Sequence, residues 1–284
     1  MSTVESDAVR AHLHAQWAAV ASSWGEHAEY ADARGAPVAE KMLELSAPQP
    51  GERVLELACG TGGLGCAAAA RVAPGGEVVV SDVAAEMIRL AAARAAALEL
   101  RNVSTCVLDV EEIDQRDNSH DVVLCREGLM FAVDPARAVR EMWRILRPDG
   151  RVAIAVWGPR ERNPWLAIVL DAVSAQLGVP IPPPGIPGPF SLEDRDALTG
   201  LLTDAKFVDV DVSEVAVPLR AQSFDEWWTR TSSLAGPLSN LLASLPVDVA
   251  GELRERVRDA ATRYETPSGL EFPGVSLLAA GRRS

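Results

Sequence analysis

Cysteine is scarce in this chain, and what there is lacks a pairing pattern. Cys59, Cys66, Cys106 and Cys125 form no C-x-x-C and have no histidine at metal-ligand spacing. That argues against a zinc site and against the disulfide framework of a small secreted domain, so reduced, mostly packed thiols and no metal are expected. Long apolar runs are missing too, each being interrupted before bilayer length, so no membrane span is expected. Met1 to Arg10 carries Glu5 and Asp7 where a secretory signal would have a basic start, so the expected compartment is cytoplasmic. Basic charge is outnumbered, with 27 Lys and Arg against 40 Asp and Glu, a net charge of −13. A surface of that sign repels a phosphate backbone, which makes nucleic acid a poor partner.

What is present is a folded composition: 48% of residues are hydrophobic and 24% charged over 284 residues, enough for one large α/β domain with an embedded cap. Trp17, Val20, Trp24 and Ala28 recur at helical spacing, so His12 to Ala28 reads as an amphipathic helix. After Pro48, Pro50 and Gly51 the pattern alternates. Strands are expected at Arg53 to Ala58, Glu77 to Asp82, Val103 to Leu108, His120 to Cys125 and Arg151 to Trp157. Helices are expected between them at Gly62 to Val72, Ala84 to Leu98 and Asp134 to Leu146, the last capped by Asp134 with Pro135 in its first turn. Short apolar strands separated by amphipathic helices imply a doubly wound, mostly parallel sheet covered on both faces.

Beyond Trp157 the alternation stops. Asn163 to Leu177 reads as a helix, Pro180 to Pro189 as a proline-rich loop, Ser191 to Thr203 as a helix capped by Ser191, and Phe207 to Val217 as a strand. Ser223 to Tyr264 reads as helical with a break at Gly236-Pro237, a cap inserted before a last strand at Val275 to Ala280.

The chemistry concentrates at Glu56-Leu57-Ala58-Cys59-Gly60-Thr61-Gly62-Gly63-Leu64-Gly65. Glycines here let the backbone turn tightly and approach a ligand while the next helix offers free N–H groups. The spacing also satisfies G-x-G-x-x-G, and Asp82 lies where an acid would meet a ribose, so a dinucleotide-binding protein fits these features equally. Asp82 also suits a cap for the helix after it. Glu56, inside an apolar strand, needs a donor or a cation to meet it. Asp109-Val110-Glu111 ends the third strand, and Arg126-Glu127 follows the fourth.

Taken in order, VLELACGTGGLG, VVVSDVAAEMIRLA, LDVEEI and DVVLCREGLMFAVDPARAVREMWRILRPDGRVAIAVWG resemble the motifs of class I S-adenosylmethionine (SAM) methyltransferases, most closely the UbiE/Coq5-like small-molecule group. The resemblance covers Arg53 to Gly158. It implies a Rossmann-like sheet of seven mostly parallel strands with a helical cap insertion, SAM as methyl donor and S-adenosylhomocysteine (SAH) as product. Position by position it implies that Glu56, Cys59 and the Gly60-Thr61-Gly62 turn hold the methionine portion, that Asp82 binds ribose, and that Val83 and Met87 flank adenine. Asp109 and Val110 would contact the adenine edge, and Arg126 with Glu127 would face the sulfonium and the acceptor. The implied layout is lid helices over 1–50, the SAM-binding core over 51–160, substrate-side helices and a sixth strand over 161–222, the cap over 223–270, and the final core strand over 271–284. Glu127 stands where relatives often carry a neutral or aromatic residue.

The catalytic candidates are Glu127 and, as a base near the lid, His27. His12 and His14 read as solvated, and His120 as entering its strand far from the site. No base stands out, which points to an acidic or carbanion-stabilised acceptor. The expected partner is therefore a small, largely apolar molecule such as a phenol, quinol or polyketide, with a homodimer left open. A nicotinamide-dependent oxidoreductase is the first alternative, but only Tyr30 and Tyr264 are available and both lie outside the core, so no Tyr-Lys set can be built. A non-catalytic SAM-binding protein is the second.

Overall fold

The computed structural model describes residues 3–284, so Met1 and Ser2, the first two positions of the expected lid segment and signal-free start, lie outside it. The chain opens with α1 (Thr3–Glu26) and α2 (Ala28–Ser46). The leading helix thus starts well before His12 and ends at a joint: His27 leaves helical geometry at φ −108° and ψ 18°, although its N–H still bonds Ser23 O. The second helix is more than a lid, since Val38, Met42 and Leu43 are buried against the sheet.

The core follows as β1 (Arg53–Leu57), α3 (Gly63–Val72), β2 (Glu77–Asp82), α4 (Ala85–Ala97), β3 (Val103–Val107), β4 (His120–Arg126), α5 (Pro135–Ile145) and β5 (Leu146–Trp157). As expected, the Asp134 side chain accepts from Arg137 N at 2.8 Å and Pro135 occupies the first turn of α5. Then come α6 (Pro164–Leu177), α7 (Arg195–Asp204), β6 (Phe207–Ala216), β7 (Leu219–Ala221), α8 (Phe224–Leu234), α9 (Gly236–Ser244), α10 (Val247–Ala261), β8 (Glu265–Thr266), β9 (Gly269–Phe272) and β10 (Val275–Arg283).

Among the described residues the main sheet has seven strands in the order β3-β2-β1-β4-β5-β10-β6. Neighbours from β3 to β5 run parallel, and β10 inserts antiparallel between β5 and β6. The central strands are buried on both faces, which is why they read as unbroken apolar runs. After β1 the chain winds to β2 and β3 on one side, then returns to place β4 on the other. The carboxyl ends of β1 and β4 therefore flank the switch point, where open α/β sheets leave a crevice.

Three expectations outside the core need correction. The cap of α7 is Asp194, whose carboxylate accepts from Ala197 N at 2.7 Å, while Ser191 Oγ accepts from Gly188 N and closes the proline-rich loop instead. The segment expected to break once, at Gly236-Pro237, does so with Ala235 leaving the helix and Gly236 opening α9, but it breaks a second time before Val247 at Pro246. The segment read as helical through Tyr264 ends at Ala261 with a short 3-10 turn, and the expected cap region also contributes two strands to a small sheet ordered β7-β9-β8. The cap is fastened to the rest by indole donors: Trp227 Nε1 to Trp165 O at 3.1 Å, and Trp24 Nε1 of α1 to Leu234 O at 3.0 Å.

Candidate active site

At the carboxyl edge of the sheet the backbone leaves β1 through Ala58 at φ 52°, an uncommon left-handed geometry for a residue with a Cβ. Glu127, just past β4, does the same at φ 57°. Gly128 lets the two strand ends approach, because a Cβ there would run into Ala58 Cβ. Strained backbone in adjacent strands at a switch point marks a functional edge. It opens into a single cavity of about 760 Å³ running from the β2 end to the proline-rich loop and the cap.

Glu56 is 1% exposed and does not line this cavity. Its Oε2 accepts from Gly65 N at 2.8 Å, which ties the start of α3 to the middle of β1. A side chain at position 65 would strike Val80 and Glu56 Oε2, so glycine is required. Burial pushes the Glu56 carboxyl up to about 8; the Arg126 cation and the Gly65 N–H oppose that, while Asp82 and Asp32 add to it. The donor and the cation that a carboxylate in this strand needs are thus both present.

Thr61 and Gly62 also lie behind the wall, with Gly62 at φ 77° heading α3. Cys59, Gly60, Asp82, Val83, Met87, Asp109, Val110 and Arg126 do line the cavity. Asp82 Oδ2 accepts from Gly60 N and Oδ1 from Ala84 N, both at 2.9 Å. The acid therefore does cap the turn into α4, and it clamps the glycine turn as well. Its pKa is raised by burial against the pull of the Ala84, Gly60 and Val83 N–H groups. Each oxygen keeps lone-pair capacity for a hydroxyl facing it from the cavity.

Asp109 is met from α1: Arg10 Nε lies at 3.5 Å and His14 Nε2 at 3.4 Å, and its own Oδ1 accepts from Glu111 N. Burial pulls the Asp109 pKa up, but His14, the Glu111 N–H and Arg10 together hold it below its usual value. Glu111 is braced between Arg10 Nη2 and Val133 N, each at 2.6 Å. His14 thus corrects the expectation of a solvated ring: α1 extends to Thr3, which carries residues 8–17 over the β3 edge. His27, the expected base, does not line the cavity, because it sits at the α1–α2 joint.

Arg126 runs beside Gly35 of α2, where any Cβ would come within 2.6 Å of its Nη1, and faces Asp32 at 3.9 Å; Asp32 in turn pairs with Arg94 at 2.5 Å. Glu127 lines the cavity. Ser276 Oγ donates to its Oε1 in a long bond of 3.5 Å, and burial raises its pKa while Arg126 and Arg34 pull it down. Arg34 and Asp32 carry no signal in the sequence, since polar residues on an N-terminal helix read as a solvated face, the same reason His14 reads as solvated. Trp17, Trp157, Trp165, Leu166, Leu170 and Phe131 make the far chamber apolar.

This set fits an adenosyl sulfonium: a glycine cradle with Gly60 at φ 53°, a buried acid at the β2 end, apolar Val83 and Met87, and a second acid past β3. Residues 48–170 match the family model described as a methyltransferase domain. Over 210 residues the chain is 33% identical to nocamycin O-methyltransferase from Saccharothrix syringae, covering 70% of this chain and 75% of the relative. It is 37% identical over 133 residues to the ubiquinone/menaquinone biosynthesis C-methyltransferase UbiE of Ectopseudomonas mendocina, which covers 46% of this chain and only 52% of that enzyme. The YcgJ protein from Bacillus subtilis shares the fold, with a TM-score of 0.61 at 18% identity, covering 86% of this chain and 97% of that one.

The chain belongs to the class I SAM-dependent methyltransferases. It is a small-molecule methyltransferase that takes its methyl group from SAM and releases SAH. No helix among the described residues is long and apolar enough to cross a membrane.

Proposed function

We propose that this enzyme methylates a small, largely apolar organic acceptor of the phenol, quinol or polyketide kind, bound in the chamber between the β4–β5 edge and the cap. The observation that carries the reading is continuity: one cavity joins the acid and glycine set at β1 to β3 with the indole-lined chamber. The relatives named for O-methylation of nocamycin and C-methylation in quinone biosynthesis support an acceptor of this size and polarity.

When bound, SAM supplies an electrophilic methyl on a positively charged sulfur. Alignment and exclusion of water are the protein's main tasks. Asp82 receives the ribose hydroxyls, Val83 and Met87 flank the adenine, and Asp109 with Val110 takes its edge. Cys59 and the Gly60-Thr61-Gly62 turn shape the methionine end, with Glu56 acting from behind by holding Gly65 and facing Arg126. Glu127 takes the acceptor's proton, a role its raised pKa suits. The α1 helix and the cap, joined through Trp24 and Leu234, keep water out.

The test is transfer of labelled methyl from SAM into a library of phenols, quinols and polyketides. Incorporation into at least one class is expected. SAH binding with no transfer to any of them would favour a non-catalytic SAM-binding protein, and NAD binding in place of SAH would favour the oxidoreductase.

A further inference from the structure

Among the described residues four arginines line the cavity, and three have anionic partners. Arg10 pairs with Asp7, Glu111 and Asp109, Arg230 with Glu226 at 2.5 Å, and Arg126 faces Asp32. Arg34 differs. Its guanidinium lies over the Trp165 ring at 3.9 Å, with the Trp157 ring, packed edge to face against Trp165, at 4.9 Å. Its Nε and Nη2 are buried and have no hydrogen-bond partner. Stacking satisfies the faces of a guanidinium and leaves the in-plane N–H fork unanswered.

We propose that this fork is the recognition point for the methyl acceptor, and that it selects a planar apolar molecule bearing an acidic oxygen (a phenol, an enol or a carboxylic acid) bound as its anion. The inference rests on the methyltransferase reading and narrows it. The indoles make this part of the cavity apolar, and a fork of parallel N–H donors matches the planar oxyanion of an acidic group. Glu127 is close enough for its charge to act on Arg34, yet no carboxylate among the described residues comes within ion-pair distance of the guanidinium. Burial holds the Arg34 pKa below its ordinary value against the pull of Tyr30 and Glu127, so the cation gains from an arriving anion. An acceptor that arrives protonated gives its proton to Glu127 as Arg34 takes its oxygen, and one that arrives ionised needs only Arg34.

The test compares naphthoate with its uncharged isostere naphthamide, each titrated into the SAH-loaded enzyme and followed by tryptophan fluorescence and calorimetry. Naphthoate is expected to bind about tenfold or more tightly than naphthamide, the margin of a charge-assisted hydrogen-bond pair. Arg34→Gln should erase that preference while leaving naphthamide and SAH affinities unchanged, and Arg34→Lys, which keeps the charge without the planar fork, should fall between. A merely structural Arg34 would weaken both probes together. Absence of naphthoate binding, equal affinity for the two probes, or a preference that survives Arg34→Gln or is untouched in Arg34→Lys overturns the proposal. Failure of the wild type to bind SAH overturns the underlying reading instead, and is seen separately in the same titration.

Discussion

The two ends of the cavity treat charge in opposite ways. At the donor end, Asp82 holds two backbone N–H groups, Asp109 and Glu111 are braced by Arg10, and Glu56 is met by Gly65. At the acceptor end, Arg34 has an empty donor fork and Glu127 only one long hydrogen bond. The donor end is preorganised, its hydrogen bonds made before any ligand arrives. The acceptor end leaves charge to be answered by what it binds. Substitutions should therefore cost stability at one end and function at the other.

Among the substitutions the largest loss of stability is expected from Asp82→Ala, which strands the buried Ala84 N–H and the part-buried Gly60 N–H. At ~1–3 kcal/mol for each unsatisfied donor, urea unfolding should show a loss of about 2–5 kcal/mol together with loss of SAH binding. A loss below ~1 kcal/mol would remove the case for a prebuilt donor end. Next is Gly65→Ala, whose new methyl collides with Val80 and Glu56; overpacking of this kind costs roughly 1–3 kcal/mol, again read in urea. At the opposite end, Arg34→Met should change stability by no more than about 1 kcal/mol in either direction, because it removes a cation the fold does not pair, yet methyl transfer should fall steeply. Equal destabilisation at the two ends would erase the contrast.

The pH dependence of the unliganded protein, measured by thermal melts, tests the buried ionisable groups rather than the two ends of the cavity. Glu56 keeps its proton in the folded chain after the unfolded chain has released it, so stability should decline as pH rises from 4.5 to about 8, and Glu56→Gln should flatten that slope. His120 is fully buried, and burial lowers its pKa from 6.5 to about 4. It must gain a proton on unfolding, so stability should also decline as pH falls through that window, and His120→Leu should remove that component.

The same divide separates what was legible in the sequence from what was not. The donor end is written locally: a strand, a glycine turn, an acid at the end of the next strand, each identifiable by spacing, so eight of the expected SAM contacts line the cavity. Glu56, expected at the methionine portion, lies behind the cavity wall, because spacing shows that a carboxylate is in the strand and not which side of the wall it faces. The acceptor end is assembled from segments far apart in the chain. Arg34 gains meaning only when α2 folds back against Trp157 and Trp165, and His14 only when α1 crosses β3. The small sheet was hidden because strands of two to four residues carry no readable alternation. Asp194 was passed over because Ser191, three residues earlier, is also a good capping residue.

The most direct test of the donor crevice is a crystal structure of the enzyme grown with SAH. The expected result places the ribose on Asp82, the adenine between Met87 and the Asp109 edge, and the sulfur facing Arg126 and Glu127. An empty crevice, or one that admits a nicotinamide nucleotide in the same crystals and leaves SAH out, would contradict it.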